Sequence, residues 1–184
     1  PKLYKNFYGS LPDNWLVGNV IKVRTGYSTD NYIRKNSASG GILSQTLFYL
    51  LENNYVDAVI VAKQGVPNPE NASAVIVDTV DEIYSSMGSI YIPVKMLEIL
   101  DKINPNKRYA ITCLPDDSAL LRKMQYEKNL FAMQIKYILG PYTGTALYPE
   151  AINCYLKSKK IDKSDKIGKL RWRAGDWPGY LEIK

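Results

Sequence analysis

Apolar and polar positions along this chain switch repeatedly between a strand period of two and a helical period of 3.6, and the switch points mark its elements. Val20 to Tyr27 reads as a strand, Gly41 to Asn54 as a helix, and Tyr55 to Ala62 as a buried strand. Ala72 to Val77 is a further strand, entered from the loop Pro67-Asn68-Pro69-Glu70-Asn71. Thr79, followed by Asp81 and Glu82, starts a short helix, and Pro93 starts a longer one to about Lys102. Arg108 to Cys113 is a short apolar strand, and Leu114-Pro115-Asp116-Asp117-Ser118 turns it into a helix over Ala119 to Tyr126, with Asp116 or Asp117 as the cap. Ile135 to Gly140 is a strand, followed by the turn Pro141-Tyr142-Thr143-Gly144-Thr145 and a helix to Lys159. Ser158 to Lys169 is polar enough for a mobile connection, and Leu170 to Lys184 carries strand-like pieces around Gly175-Asp176-Trp177-Pro178-Gly179.

This order predicts an α/β fold, a central mixed sheet flanked by helices with a small C-terminal extension. Residues 1–156 form the α/β domain and 157–184 the basic connection and strand segment. Ligands of open α/β sheets bind outside the carboxyl ends of the strands, so the turns at 36–41, 114–118 and 140–145 are the natural places for a site.

The first of these turns carries the most chemistry. Arg34-Lys35-Asn36-Ser37-Ala38-Ser39-Gly40-Gly41-Ile42 is polar and glycine-rich, and it opens directly into an apolar helix. Gly40 and Gly41 let the backbone turn tightly and a ligand approach the peptide N–H groups, while the helix adds unpaired amides and the positive end of its dipole. Ser37, Ser39 and Ser44 supply hydroxyl donors and Arg34 a charge. The competing reading makes Ser39 a helix N-cap, with two glycines easing a strand-to-helix turn. The spacing is neither a Walker loop nor GxGxxG.

Composition narrows the chemistry further. The 184 residues include no histidine, which excludes a Ser-His-Asp triad, a Cys-His nucleophile and histidine metal ligands from this chain. Cys113 and Cys154 both lie in apolar or helical settings and read as buried thiols. The net charge of +6 gathers late, at Lys157, Lys159, Lys160, Lys163, Lys166, Lys169, Arg171 and Arg173. No nucleic-acid-binding motif accompanies it, so a solvated surface is the favoured reading and nucleic acid is not expected as a partner. No apolar run approaches the roughly 20 residues of a membrane helix, and no signal-peptide pattern opens the chain, which makes cytoplasmic the default. Pro1 in place of an initiator Met reads as a processed or trimmed end.

Five ordered blocks resemble the coenzyme F420 hydrogenase/dehydrogenase beta-subunit family. They are Gly26-Tyr27-Ser28-Thr29-Asp30 with Ile33-Arg34 and Ser37-Ala38-Ser39-Gly40-Gly41; Leu50-Leu51-Glu52 with Val56-Asp57; Gly88-Ser89-Ile90-Tyr91; Leu114-Pro115-Asp116; and Arg171-Trp172-Arg173-Ala174-Gly175-Asp176-Trp177-Pro178-Gly179. The resemblance runs from about Val20 nearly to the end. It implies a flavoprotein that holds FAD, usually beside a 4Fe-4S cluster, and passes hydride between the flavin and coenzyme F420 or a related carrier, commonly beside a partner redox subunit. It further implies that Ser39, Gly40 and Gly41, within the loop that also holds Arg34, Ser37 and Ser44, contact the flavin. The resemblance also implies that Gly88, Ser89, Tyr91 and Pro115 line the same pocket. Gly88 and Tyr91 also read as a turn glycine and a packing residue.

Two departures qualify the resemblance. Where the family carries a Pro-Cys turn this chain has Asp116, and a second cluster cysteine is replaced by Thr143. The family's further cysteines lie beyond the Trp-Pro-Gly segment, shortly after which this sequence stops. Two dispersed cysteines cannot supply four thiolates, so no iron-sulfur cluster is expected. Ile90 stands where the family has a lysine that could neutralise a phosphate or a reduced flavin. Three readings follow: a flavin-dependent oxidoreductase subunit, a non-catalytic binding or assembly module on the same fold, and an incomplete fragment of a larger redox protein.

Overall fold

The computed structural model describes residues 2–148, 150–161, 167–176 and 178–184. Its centre is a four-stranded sheet in the order β2-β1-β3-β4, made of β1 (Ala58–Gln64), β2 (Ala72–Val77), β3 (Tyr109–Thr112) and β4 (Ile135–Leu139). β1 pairs antiparallel with β2 and parallel with β3, and β3 pairs parallel with β4. The mixed sheet predicted from the chain's punctuation is therefore present.

The central strands are buried on both faces, which is why they read as near-continuous apolar runs. Ala58, Ile60, Tyr109 and Ile111 pack on one side with Met96, Ile99, Leu100, Leu121 and Ile135. Val59, Val61 and Ala110 pack on the other with Ile33, Leu47, Phe48, Leu50 and Ile83. The first layer comes from a 3-10 helix (Met96–Lys102) and, after α1 (Lys2–Tyr8), α2 (Asn31–Asn36), α3 (Ile42–Glu52) and α4 (Val80–Ser86), from α5 (Pro115–Tyr126). The second layer comes from α2, α3 and α4. α4 starts where the sequence places it: Thr79 Oγ1 accepts from the Glu82 amide at 3.3 Å and donates to the Glu82 carboxylate at 3.0 Å.

The C-terminal strands β5 (Leu170–Ala174) and β6 (Tyr180–Ile183) form a separate antiparallel pair. With α6 (Ala151–Ser158) they build a third apolar cluster of Ile152, Leu156, Leu170 and Trp172, against which Tyr91 and Ile92 pack. Part of the polar connection, at 162–166, lies outside the described residues, as does Trp177.

The structure corrects several expectations. Residues 20–27 form no strand; Val20, Ile21 and Val23 are exposed with no neighbouring strand to pair. β-branched residues favour a half-buried pleated surface, and none is supplied here. The segment after Pro93 becomes helical only at Met96, as a 3-10 turn. α5 begins at Pro115 with Leu114 as its N-cap and no side-chain cap bond. Asp116 and Asp117 consequently lie in the first helical turn, where they complement the dipole rather than cap the helix. The helix after the 140–145 turn starts only at Ala151. Of the two cysteines expected to be buried, Cys113 is buried and Cys154 is exposed on α6, because α6 turns Ile152 and Leu156 to the core and the positions between them outward.

Candidate functional site at the carboxyl edge of the sheet

The Ser/Gly turn is held between two helices. Asp30 caps α2 by accepting from the Ile33 amide at 2.9 Å, which fixes Ile33 in the core. α2 closes with the Ser37 amide donating to Ile33 O at 3.0 Å, and the chain then turns through Ser37–Gly41 into α3. The N-cap is Gly41, not Ser39, and Gly41 offers no side chain to the helix end. The first α3 bond runs from Gln45 N to Gly41 O at 2.9 Å, so the amides of Ile42, Leu43 and Ser44 precede it without an intrahelical acceptor.

Packing within the protein explains both glycines. Gly41 has φ +80°, and a Cβ there would lie 2.8 Å from Ile33 Cγ2 and 3.2 Å from Ser28 Cβ. A Cβ on Gly40 would lie 3.1 Å from Gly26 O and 3.2 Å from Arg34 Nη1. The turn is thus closely fitted to its own surroundings. Arg34 lies over the Tyr27 ring at 4.7 Å.

Two side supports fix the direction of the turn's peptides. Ser28 N donates to Gly40 O at 2.7 Å, and the Ser28 hydroxyl, buried, donates to Gln45 Oε1 at 2.7 Å. Arg173 Nη1 of β5 donates to Ala38 O at 2.8 Å, across 135 positions of sequence. Carbonyl and N–H of a trans peptide point in opposite directions, so the Ser39 and Gly41 amides are directed away from these supports. Among the described residues neither amide donates to a protein acceptor. Ser28 and Arg173 were not among the site residues read from sequence. The Gly26-Tyr27-Ser28 block signalled the first, whereas a contact so distant in sequence leaves no local signature.

The second predicted group joins the same edge. Ser37 Oγ lies 3.9 Å from Met87 Sδ, directly before Gly88 and Ser89. Gly88 is exposed with φ +121°, and Ser89 is half-buried. The Tyr91 ring meets Trp172 edge-on at 5.9 Å, and Trp172 Nε1 donates to Gln64 Oε1 at the end of β1 at 2.9 Å. The structure therefore places Ser37, Ser39, Gly40 and Gly41 on one turn, flanked by Arg34 in α2 and Ser44 in the first turn of α3, with Met87, next to Gly88 and Ser89, against Ser37 and Tyr91 against the C-terminal strand pair. Pro115, the first residue of α5, is exposed beyond the carboxyl end of β3, and no hydrogen bond among the described residues joins it to that turn.

At the end of β3, burial and the nearby Asp117 and Asp116 carboxylates push the Cys113 thiol up to about 11. Burial and Asp116 likewise raise Asp117. A buried protonated thiol here and an exposed one on α6 do not fit the four-thiolate ligation of a cubane cluster. Among the described residues, the guanidinium groups of Arg34 and Arg173 lie within ion-pair distance of no carboxylate.

No curated protein sequence matches this chain. Among solved structures, a chain from the F420-reducing [NiFe] hydrogenase complex of Methanosarcina barkeri matches with TM-score 0.67 and 18% identity, over 85% of this chain and 57% of that one. At that identity the likeness speaks for the fold, and the sequence spans little more than half of its neighbour's length. Two family models match in succession: the coenzyme F420 hydrogenase/dehydrogenase beta subunit N-terminal part over residues 23–101 and its C-terminal part over 106–184. The turn at 37–41 falls in the first match and Arg173 in the second, and the chain belongs to the coenzyme F420 hydrogenase/dehydrogenase beta-subunit family.

Proposed function

We propose that the chain is a flavin-dependent oxidoreductase subunit that transfers hydride or electrons between FAD and coenzyme F420 or a related acceptor, alongside a partner redox subunit. The observation that carries this reading is the pair of amides, Ser39 and Gly41, at the N-terminus of α3, which donate to no protein acceptor among the described residues. Family membership supplies the class of cofactor.

Ser39 N–H, Gly41 N–H and the first amides of α3 bind the anionic diphosphate, and the Ser39 and Ser44 hydroxyls add donors. Arg34, held against Tyr27 beside Gly40, lowers the cost of bringing that charge to the turn. Gly88, with open space above its backbone, and Ser89 would leave room beside the turn for the rest of the cofactor. Tyr91 and Trp172 shield the carboxyl end of β1 from water. When bound, FAD supplies the two-electron hydride chemistry, for which the protein need provide no general base. Ile90 contributes packing and no charge. No step passes through an iron-sulfur cluster in this chain.

Absorbance and fluorescence titration of the protein with FAD test the reading, with Ser39→Asp alongside. Ser39 is exposed and the substitution adds a carboxylate at the turn without altering its packing. Uptake of a flavin band near roughly 450 nm that Ser39→Asp loses is the expected result. A folded wild-type protein that takes up no FAD overturns it.

A further inference from the structure

We infer that Arg173 is a positioning residue for the cofactor turn: by holding the Ala38 carbonyl it aims the Ser39 amide, and so makes the C-terminal strand pair part of the site. The inference takes the identity of the ligand from the flavin reading above; the geometry stands apart from it.

Arg173 Nε donates to Pro178 O at 2.7 Å within its own turn, and Nη1 donates to Ala38 O at 2.8 Å. One guanidinium thus bridges two carbonyls from opposite ends of the chain. Its planar fork sets both donor directions at once, which a flexible ammonium cannot do. The backbone that carries it is itself located: Trp172 is buried, bonds Gln64 at the end of β1 and packs on Tyr91. The bridge therefore reaches Ala38 from a fixed platform.

The effect on the turn follows from peptide geometry. The Ala38 carbonyl and the Ser39 N–H belong to one planar unit, so fixing the carbonyl fixes the amide. A charged donor on the carbonyl also polarises the unit and strengthens its N–H as a donor. The Ser28 backbone amide, a neutral donor, fixes the Gly40–Gly41 peptide in direction from the other side in sequence. Remove Ser28 and the turn loses support from its own segment; remove Arg173 and it loses the support that only the C-terminal half provides.

Backbone 15N relaxation over residues 37–43 and titration with FAD and with riboflavin, which lacks phosphate, test this in the wild type, Arg173→Lys, Arg173→Ala and Arg171→Ala. Arg171 lies two residues back on the same strand and serves as the charge control. The Ser39 amide order parameter should fall from about 0.85 to below about 0.6 in both Arg173 variants, with FAD binding weakened about tenfold, riboflavin binding unchanged and Arg171→Ala like the wild type. An unchanged Ser39 order parameter in Arg173→Lys overturns the inference, as does equal loss of FAD and riboflavin, which marks a general packing role. A wild type that binds no flavin removes the flavin reading, while the relaxation comparison still decides the inference. Should the Arg173 variants not fold, hydrogen exchange in the wild type under rising urea decides, read at the Ser28 amide that bonds Gly40 O: Ser28 and β5 opening together supports the link, and separate opening breaks it.

Discussion

The two edges of the parallel strands are closed in opposite ways. At the amino edge, before β1 and β3, Arg108 grips Asp57 with Nη2 to Oδ1 at 2.8 Å and Nε to Oδ2 at 3.1 Å, while Arg108 N donates to Oδ2 at 2.7 Å. Asp57 N returns a bond to Arg108 O at 2.8 Å. The Arg108 guanidinium and amide hold the Asp57 carboxyl down at about 2. Charge meets charge there, in a two-point contact between side chains that also share backbone bonds. At the carboxyl edge the supports are neutral carbonyls held by Ser28 and Arg173, and among the described residues the amides opposite them have no protein partner. One edge joins strands; the other holds a turn in readiness.

The largest effect that would sharpen this contrast concerns the thiols. Cys113, at the carboxyl edge, is buried and protonated, whereas Cys154 is exposed. Alkylation at pH 8 followed by mass spectrometry should label Cys154 at least about a hundredfold faster, and comparable rates would show that the end of β3 is open. Next comes the turn itself. Gly41→Ala places a Cβ against Ile33 at φ +80° and should cost about 2 kcal/mol or more by thermal or urea unfolding. A neutral result would mean that the turn is looser than its geometry.

Asp57→Asn breaks the amino-edge ion pair. The pair is partly exposed, so its removal should cost below about 1 kcal/mol and leave FAD affinity unchanged. A change in FAD binding would contradict the separation of the two edges. The smallest effect is its pH dependence. Because the folded-state pKa of Asp57 is depressed to about 2, its contribution is full above the ordinary carboxylate range of about 4 and fades as pH falls from there through about 2. Wild-type stability should therefore drop more than that of Asp57→Asn across this window; parallel curves would remove the ion pair as the cause.

Much of this architecture is legible in the sequence. β1, β2 and β3 show in the runs around Val59, Val75 and Ile111, α4 in its Thr79 and Glu82 cap, and α3 in the spacing of Leu43, Leu47 and Leu50. α2 is marked as well, since Asp30 stands three residues before the core residue Ile33 as an N-cap does. The strand reading of 20–27 failed because a strand requires a neighbour, and sequence alternation cannot say whether one exists. The site was legible as a turn, through Ser39, Gly40 and Gly41. Its orientation was not, because that depends on Ser28 and Arg173, and Arg173 acts from the far end of the chain.

The bond from Arg173 to Ala38 also bears on when the site matures. It closes 135 positions of chain, among the longest separations in the molecule, and contacts of such range form late because their loop entropy must be overcome first. The Ser39 amide is consequently aimed only once β5 has been synthesised and docked, and on the flavin reading a ribosome-bound chain ending before Leu170 should take up FAD poorly. Flavin retention by stalled chains of increasing length would then report the point at which β5 emerges and docks.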